Sequence, residues 1–577
     1  MSDKISGAEA LMRCLVAEHV DRVFGYPGGC IMPVYDRLYD YSPQITHVLT
    51  RHEQGAIHAA QGYARASHRP GVVIVTSGPA ATNLITGLSD AQMDSTPLVV
   101  ITGQATSDML GTDAFQETDV MGITQPVTKW ACQVRKASDI PSVVARAFYI
   151  ASTGRPGPVV IDLTKDAQIN TLDWSYSPCR FIRSYDPYPE IPHSDICRVA
   201  EMINNSARPM ILAGQGITIA EAERSLLAVA EKADIPVAMT VLGLSAMPSG
   251  HRLNRGMLGM HGNIAPNVNT NHADLLIAVG MRFDDRVTGD VSRYAPDARI
   301  VHIDIDESEF NKNIRTDATI LGDARQVLEL LLPEIAKNSH PEWIGSFDLH
   351  DKVERERVIA PVLQRDNPDE PPTMGEVAEK LSLAAHNSPI LVTDVGQNQM
   401  FGARYFHYSA PRSIISSGGL GTMGFGLPAA IGAKMGAPHR DVCLLVGDGG
   451  FQMTIQELGT IMQYGTNVKM VVLNNSFLGN VRQWQSLFFN NRFSQTPMVN
   501  PDFCAIAAAY SIEAANVASR GELDEAIRRM MDHDGPYLLN VAIREEDMVF
   551  PMTPAGSPVD CIMLNANEMY HPKKMKP

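Results

Sequence analysis

The stretch 441–475 decides the fold of this chain, and it reads DVCLLVGDGGFQMTIQELGTIMQYGTNVKMVVLNN. The apolar runs 441–446 and 468–473 predict two buried strands, and the helical spacing of apolar residues over 451–464 predicts a helix between them. Crossovers of this kind join parallel strands with one hand. The residues that follow the two strands should therefore meet at one carboxyl edge of a single sheet.

The side chains at that edge suit a metal ion and an anion. Asp448 offers a carboxylate oxygen and Asn475 an amide oxygen, while Gly447, Gly449 and Gly450 leave room for a bulky anion to approach the backbone. An isolated GDG would more simply be a turn after a strand. The double asparagine at the end of the next strand favours a Mg²⁺ site instead, in which a diphosphate supplies the remaining oxygens.

Length and composition place the chain among large soluble proteins. It has 577 residues, of which 45% are hydrophobic, and a net charge of -16, which argues against nucleic-acid binding. No apolar run reaches the roughly 18 residues of a membrane span, and a helical pattern begins by Gly7, which leaves no room for a signal peptide. The eight cysteines form no CxxC pair, which is typical of reduced thiols. We expect a cytoplasmic protein that binds neither membranes nor nucleic acid.

The rest of the chain repeats the alternation of strand and helix. Segments 1–170, 193–335 and 373–545 each predict a parallel α/β domain, so the fold class is α/β with three doubly wound parallel sheets. Pro-rich stretches without periodicity separate these segments and predict linkers. Residues 546–577 form a carboxyl-terminal tail.

Several motifs together resemble one enzyme family. In chain order, YPGG, RHEQGA, TSGPAATNL, ITGQ, GTDAFQE and RPGPV are similar to the amino-terminal half of the catalytic subunits of acetohydroxyacid synthase (acetolactate synthase), and GDGG followed by NN resembles the metal signature of thiamine-diphosphate enzymes. The resemblance implies a pyrimidine-binding domain over 1–170, an FAD-binding domain over 193–335 and a diphosphate-binding domain over 373–545. It also implies that the tail 546–577 caps the active site.

The resemblance assigns roles to individual residues. Glu53 would hydrogen-bond the aminopyrimidine ring of thiamine diphosphate and favour the tautomer that removes the thiazolium proton. The catalytic positions would be Glu53, Gln116, Phe115, Lys165, Arg286, Val481 and Trp484. Thiamine diphosphate would contact Gly28, Glu53, Val395, Gly396, Gln397, Asn398, Gly421, Met423, Gly447, Asp448, Gly449, Gly450, Asn475 and Phe477. The metal ligands would be Asp448, Asn475 and the carbonyl of Phe477. FAD, which in this family does not turn over in the main reaction, would contact Arg155, Gly214, Gly216, Thr240, His261, Gly280, Arg282, Asp304 and Asp323.

The reaction implied by the resemblance is the decarboxylation of pyruvate and ligation of the remaining fragment to a second 2-keto acid. The products would be 2-acetolactate, or 2-aceto-2-hydroxybutyrate from 2-ketobutyrate, in the biosynthesis of branched-chain amino acids. Because Glu53 and Asp448 belong to different subunits in the family, we expect a homodimer or homotetramer, and we also expect a small regulatory subunit.

Alternatives share parts of the pattern. A flavin-using pyruvate oxidase or a simple decarboxylase has the same fold and metal motif, but DAFQE, RFDDR and VxQWQ argue against both. Glyoxylate carboligase lacks the glutamate that Glu53 provides. A non-catalytic cofactor-binding homologue stays open because Asn398 replaces the usual His of DVGQHQ and Asn480 replaces the usual Met before Val481, which makes the substrate pocket more polar.

Overall fold

The computed structural model describes residues 4–571 and contains three parallel sheets of six strands each. This confirms the predicted α/β class with three parallel-sheet domains. Within the described residues, no helix is both long and apolar enough to cross a membrane.

The amino-terminal sheet has the spatial strand order Thr46–Leu49, Arg22–Tyr26, Gly71–Val75, Leu98–Gln104, Pro158–Thr164 and Trp130–Val134. Its helices are Gly7–Ala17, Met32–Asp40, Glu53–Ser67, Pro79–Thr82, Ile85–Met93, Val120–Thr124, Ile140–Ser152 and Lys165–Ile169.

The middle sheet has the order Asn254–Met257, Val237–Met239, Pro209–Ala213, Leu275–Val279, Arg299–Asp304 and Ala318–Leu321. Its helices are His193–Asn204, Gly216–Ile219, Glu223–Ala233, Ile264–Thr270, Asp285–Thr288 and Ala324–Glu334. The linker that follows is helical over Pro341–Glu354, Arg355–Ile359 and Ala360–Leu363.

The carboxyl-terminal sheet has the order Ile414–Ile415, Ile390–Thr393, Val442–Gly447, Lys469–Asn474, Tyr537–Ala542 and Glu513–Val517. Its helices are Met374–Ala384, Gln397–Tyr405, Gly426–Gly436, Asp448–Met453, Leu458–Tyr464, Gly479–Phe488, Phe503–Ala509 and Arg520–Asp532. Short antiparallel pairs join Lys4–Ser6 to Thr171–Asp173, and Met563–Asn565 to Glu568–Met569 in the tail.

Continuous apolar runs form the central strands because helices cover both faces of each sheet. Every residue of Leu275–Val279 and of Gly71–Val75 is buried, so neither strand alternates between polar and apolar residues. Capping boxes at Thr373 and Ser519 begin two of the covering helices. The sheets are therefore positioned by burial, and their carboxyl edges are left for loops.

The predicted single helix over 451–464 is interrupted. Helix Asp448–Met453 ends at Thr454, a 3₁₀ turn follows over Ile455–Glu457, and a second helix runs over Leu458–Tyr464. The Thr454 hydroxyl donates to the carbonyl of Gly424 at 2.9 Å, so a tertiary hydrogen bond accompanies the break.

One close helix contact joins the amino- and carboxyl-terminal domains. Helix Glu53–Ser67 lies against helix Gly426–Gly436 with backbones touching at glycines. A Cβ atom at Gly432 would lie 1.7 Å from the carbonyl oxygen of Ala59, and one at Gly62 would lie 1.9 Å from that of Ala429. Only glycine permits this approach.

We predict that Gly432→Ala destabilises the protein by about 1–3 kcal/mol or more, because the new methyl group meets backbone that no rotamer change can move away. The measurement is denaturant unfolding of the variant beside Gly345→Ala. Gly345 also lies within a helix but has no atom within 4 Å of its would-be Cβ, so this control should be neutral or slightly stabilising. Equal stability of the two variants would contradict the packing account.

Candidate active site

Asp448 and Asn475 meet at the carboxyl edge of the third sheet. Their strands, Val442–Gly447 and Lys469–Asn474, are parallel neighbours with Gly447 opposite Leu473. The backbone N–H of Ser476, next to Asn475, donates to Asp448 Oδ2 at 2.7 Å.

The Asp448 carboxylate is held by neighbouring donors. Its Oδ1 accepts from the Gly449 N–H at 2.8 Å, and its Oδ2 also accepts from Asn500 Nδ2 at 2.7 Å. Burial raises the pKa of Asp448, and the hydrogen bonds from Asn500 and the backbone oppose that rise. Sequence reasoning missed Asn500, which lies far along the chain in a loop without a motif.

The amide of Asn475 is oriented by two contacts. Its Oδ1 accepts from the Phe477 N–H at 3.2 Å, and its Nδ2 lies 3.4 Å from Gln397 Oε1. Phe477 and Gln397 were both assigned to the cofactor by resemblance, and the structure places both beside Asn475. A carboxylate and an amide oxygen at one edge are a donor set that suits Mg²⁺.

Glycines surround this edge for specific reasons. Gly396 and Gly421 have φ of +110° and +70°, which favour glycine, and their would-be Cβ atoms meet nothing closer than 3.8 Å. A Cβ at Gly450 would lie 2.3 Å from Asp394 Oδ1, and one at Gly449 would lie 2.9 Å from Leu478 Cδ2 and 3.7 Å from Met423 Cε. The edge thus leaves open backbone for a ligand on one side and is tightly packed on the other.

Buried carboxylates hold the glycine run 417–426 in place. Asp394 accepts hydrogen bonds from the N–H groups of Gly424 and Gly426. Burial raises the pKa of Asp394. From the amino-terminal domain, Asp94 accepts from the N–H groups of Gly418 and Gly419 at 2.9 and 2.7 Å.

Two further side chains complete this attachment between domains. Arg65 pairs with Asp94 at 2.9 Å and donates to the carbonyl of Ser416. Asp90 accepts from the hydroxyls of Ser417 and Thr422. The sequence did not predict a role for any of these four residues: Asp90, Asp94, Asp394 and Arg65. An aspartate in a helix or after a strand gives no local signal that it will bind a distant loop.

A cavity of about 640 Å³ lies where the middle domain meets the amino- and carboxyl-terminal domains. Of the predicted residues, its lining includes Arg155, Gly216, Thr240, His261, Gly280, Arg282, Arg286, Asp304, Asp323, Val395, Gly396, Gly421 and Trp484. Most of the predicted flavin positions and part of the predicted diphosphate loop therefore line the same cavity. Gly214 lies behind it, where a Cβ would be 2.1 Å from the carbonyl oxygen of Gly280.

The cavity wall carries polar groups that suit an FAD molecule. His261 is buried and neutral, since burial and the nearby arginines lower its pKa to about 3, and its Nδ1 has no hydrogen-bond partner among residues 4–571. Arg155 pairs with Asp306 and Glu309 at 3.1 and 2.7 Å. Asp323 also caps helix Ala324–Glu334 through its Oδ1.

A second group of predicted residues lies at the carboxyl edge of the first sheet. Glu53 begins a helix, and its Oε2 accepts from Asn83 Nδ2 at 2.9 Å. A Cβ at Gly28 would meet Thr76, and the backbone of Gln116 lies against Gly78. Segment 76–83 is thus in contact with Gly28, Glu53 and Gln116. Its Asn83 is part of the motif TSGPAATNL, but the motif predicted no individual role for this residue.

The remaining predicted positions differ in exposure. Phe115 is 86% exposed and Val481 is 42% exposed, whereas Trp484 lies in the cavity wall. Lys165 follows the strand Pro158–Thr164 at the same edge as Glu53. No hydrogen bond or ion pair joins Glu53 to the carboxyl-terminal domain within the described residues, and Glu53 does not line the cavity.

The carboxyl-terminal tail, from residue 546 onward, contacts both the carboxyl-terminal domain and the middle domain beside the cavity. Gln397 donates to the carbonyl of Asp547 at 2.6 Å and Gln483 to that of Val549 at 3.1 Å. The N–H of Thr553 donates to the carbonyl of Met260 at 2.7 Å. The part of the predicted tail beyond residue 571 lies outside the described residues.

Comparison with known families agrees with this layout. Models of the thiamine pyrophosphate enzyme match the chain in three places: the N-terminal TPP binding domain at 5–123, the central domain at 196–331 and the C-terminal TPP binding domain at 394–541. The chain is 43% identical over 564 residues to a probable acetolactate synthase large subunit of Methanocaldococcus jannaschii, covering 96% of this chain and 94% of that one. It is 40% identical over 573 residues to the acetolactate synthase isozyme 3 large subunit of Escherichia coli, covering 98% and 100%.

The chain belongs to the acetolactate synthase large-subunit family of thiamine-diphosphate enzymes. A third relative, the acetolactate synthase large subunit of Corynebacterium glutamicum, is 43% identical over 562 residues, 96% of this chain and 89% of that one. The resemblance inferred from the motifs is confirmed. The amino-terminal and carboxyl-terminal matches, both to thiamine pyrophosphate binding domains, contain Glu53 and Asp448 respectively.

Asp304 gives this acetolactate synthase family member a testable pH dependence. Burial raises the pKa of Asp304 from 3.8 to about 7, against the hydrogen bond from the Asp306 N–H and the charge of Arg155. Between these two values the folded protein binds more protons at this site than the unfolded chain does. Its contribution to the free energy of unfolding therefore falls as pH rises through that window.

We predict that Asp304→Asn, which can keep the bond from Asp306, gains about 1–3 kcal/mol relative to the parent between about pH 5 and about pH 8. Urea unfolding at both pH values measures this difference. Asp290→Asn is the matched control, because hydrogen bonds from Ser292 and Arg293 lower the pKa of Asp290, so this carboxylate stays charged throughout that range. A pH-independent difference between Asp304→Asn and the parent would contradict the assignment.

Proposed function

We propose that this chain is the catalytic subunit of an acetolactate synthase, which removes CO₂ from pyruvate and joins the remaining fragment to a second 2-keto acid. The observation that carries the proposal is the meeting of Asp448 and Asn475 at one sheet edge, in a chain that matches its family relatives over nearly their whole length. The products are 2-acetolactate from two pyruvates, or 2-aceto-2-hydroxybutyrate from pyruvate and 2-ketobutyrate. Both belong to branched-chain amino acid biosynthesis.

The donor set supports Mg²⁺ and diphosphate at this edge. We assign the metal to Asp448, Asn475 and the carbonyl of Phe477, and the diphosphate to the open backbone at Gly396 and the neighbouring Gln397. Bound thiamine diphosphate supplies an electron sink for the pair left when pyruvate loses CO₂.

Glu53 is the proton-holding group in this proposal. Asn83 fixes one carboxylate oxygen, and Oε1 accepts no hydrogen bond among residues 4–571, which leaves it available for the aminopyrimidine. Arg286, in the cavity wall, is assigned to the carboxylate of the 2-keto acid, a role that suits a guanidinium group. Trp484 shapes the same pocket with its indole ring.

We assign FAD to the cavity of the middle domain. Support comes from the unpartnered Nδ1 of buried His261, from the cationic groups Arg155 and Arg282, and from the close backbone approach at Gly216 and Gly280. The flavin has a structural role here.

A second copy of the chain completes the site in this proposal. Glu53 has no hydrogen bond or ion pair to the carboxyl-terminal domain among the described residues, and Phe115 beside Gln116 is almost fully exposed. A homodimer would bring the Glu53 edge of one copy to the Asp448 edge of the other. The relatives are named large subunits, which supports a small regulatory partner.

The test is the conversion of pyruvate to acetolactate, detected as acetoin after acid treatment, by purified protein supplied with thiamine diphosphate and Mg²⁺. Glu53→Gln should lower kcat by at least about 100-fold, because the variant cannot hold the proton. Glu223→Gln is the matched control, since Glu223 also begins a helix but belongs to the middle domain and to neither of the two sheet edges assigned to thiamine diphosphate. Acetaldehyde or acetyl phosphate as the product would instead select a decarboxylase or an oxidase.

A further inference from the structure

Asn480 is a polar side chain in the wall of the 640 Å³ cavity, which also contains Arg286 and Trp484. It lies in the first turn of helix Gly479–Phe488, and Trp484 lies one turn further on the same face. Both line the cavity together with Gly396 and Gly421, and the Asn480 Cβ is 3.8 Å from the would-be Cβ of Gly396. Asn480 is therefore beside the backbone assigned above to the cofactor.

Within the part of the chain that the structure describes, the Asn480 amide has no hydrogen-bond partner. Its Oδ1 is buried and accepts no hydrogen bond within residues 4–571, and its Nδ2 donates none to the same residues. Burying an amide oxygen without a hydrogen-bond partner is unfavourable, so a ligand that supplies the partner is favoured. A half-turn about χ2 exchanges the oxygen and nitrogen, so the amide can accept from or donate to a ligand in the cavity.

A binding group for a carboxylate lies on the same cavity. Among residues 4–571, the nearest carboxylate to the Arg286 guanidinium is that of Asp285 at 3.9 Å, and the guanidinium also lies 3.8 Å from the Met260 sulfur. A 2-keto acid held at Arg286 would extend its side chain into a pocket whose wall contains Asn480 and Trp484. An apolar residue at position 480 would suit an alkyl side chain, whereas an amide suits a hydroxyl.

We propose that Asn480 makes this enzyme accept, in addition to the alkyl 2-keto acids assigned above, a second 2-keto acid whose side chain carries a hydroxyl group. The inference rests on the proposed function and adds the class of the acceptor. A site built to hydrogen-bond a hydroxyl disfavours the analogue that lacks it, because the amide is then left unpaired.

The reaction balances without any further reactant. Pyruvate loses its carboxyl group as CO₂, its C2 forms a bond to the C2 of the acceptor, and the acceptor's carbonyl oxygen takes up one proton. With 3-hydroxypyruvate as the acceptor, the product is a 2-acetyl-2,3-dihydroxypropanoate.

The experiment compares two acceptors of nearly equal size, 2-ketobutyrate and 3-hydroxypyruvate. They differ only in that the terminal methyl group of the first is a hydroxyl group in the second. The enzyme receives ¹³C-labelled pyruvate and an equal mixture of the two acceptors, and mass spectrometry counts only products that contain the labelled acetyl group. The parent enzyme should incorporate at least as much 3-hydroxypyruvate as 2-ketobutyrate. In Asn480→Leu the product ratio should shift towards 2-ketobutyrate by about tenfold, the effect of one lost hydrogen bond.

Asn480→Ser, which keeps a hydroxyl at the position, is the conservative control and should retain most of the preference. A parent enzyme that favours 2-ketobutyrate by more than about tenfold, or a ratio in Asn480→Leu within about twofold of the parent, would overturn the inference. Acetolactate formation from pyruvate alone is measured first. Its absence would defeat the proposed function as well, whereas its presence with an unchanged ratio would defeat only the role of Asn480.

Discussion

The contact between helices Glu53–Ser67 and Gly426–Gly436 is the constraint on which the site depends. Glycines bring the two backbones together, so the helices cannot slide without a clash between backbone atoms. Glu53 is the first residue of one helix, and the glycine run leads directly into the other. The position of Glu53, the proposed proton-holding group, and that of the glycine run 417–426 are thus set by one rigid contact within each chain.

The carboxylates behind the glycine run are the second part of this design. A run rich in glycine has much conformational freedom to lose on folding. Asp94 and Asp394 restrict it by accepting hydrogen bonds from successive backbone N–H groups, and Arg65 compensates the charge of Asp94. Since Asp94 belongs to the amino-terminal domain, the glycine run of the third domain is held in shape by the first.

Sequence patterns predicted the features that depend on local order. The buried strands on either side of Asp448 follow from apolar runs, and the meeting of Asp448 with Asn475 follows from the parallel crossover between them. The family motifs then supplied roles that periodicity could not, such as that of Glu53. The attachment of Asp94 to Gly418 was beyond prediction because it joins residues 324 positions apart and has no local signature.

Two smaller differences between the sequence predictions and the structure also come from packing between residues that are distant in the chain. The break at Thr454 accompanies a hydrogen bond to a distant carbonyl, so helical spacing alone predicted one continuous helix. The unsatisfied amide of Asn480 was visible in the sequence only as a polar residue where the family has an apolar one. Its lack of a partner is a property of the packed cavity wall.

The most direct test of the account is complementation between two inactive variants, Glu53→Gln and Asp448→Asn, dissociated, mixed and reassociated. If each active site combines Glu53 of one copy with Asp448 of the other, a mixed dimer has one site with both native residues. Acetolactate formation should then return to about a quarter of the parent level, because half of the dimers are mixed and half of their sites are intact. A mixture that stays inactive while mixed dimers are shown to form would contradict the account, since both residues would then have to come from the same chain.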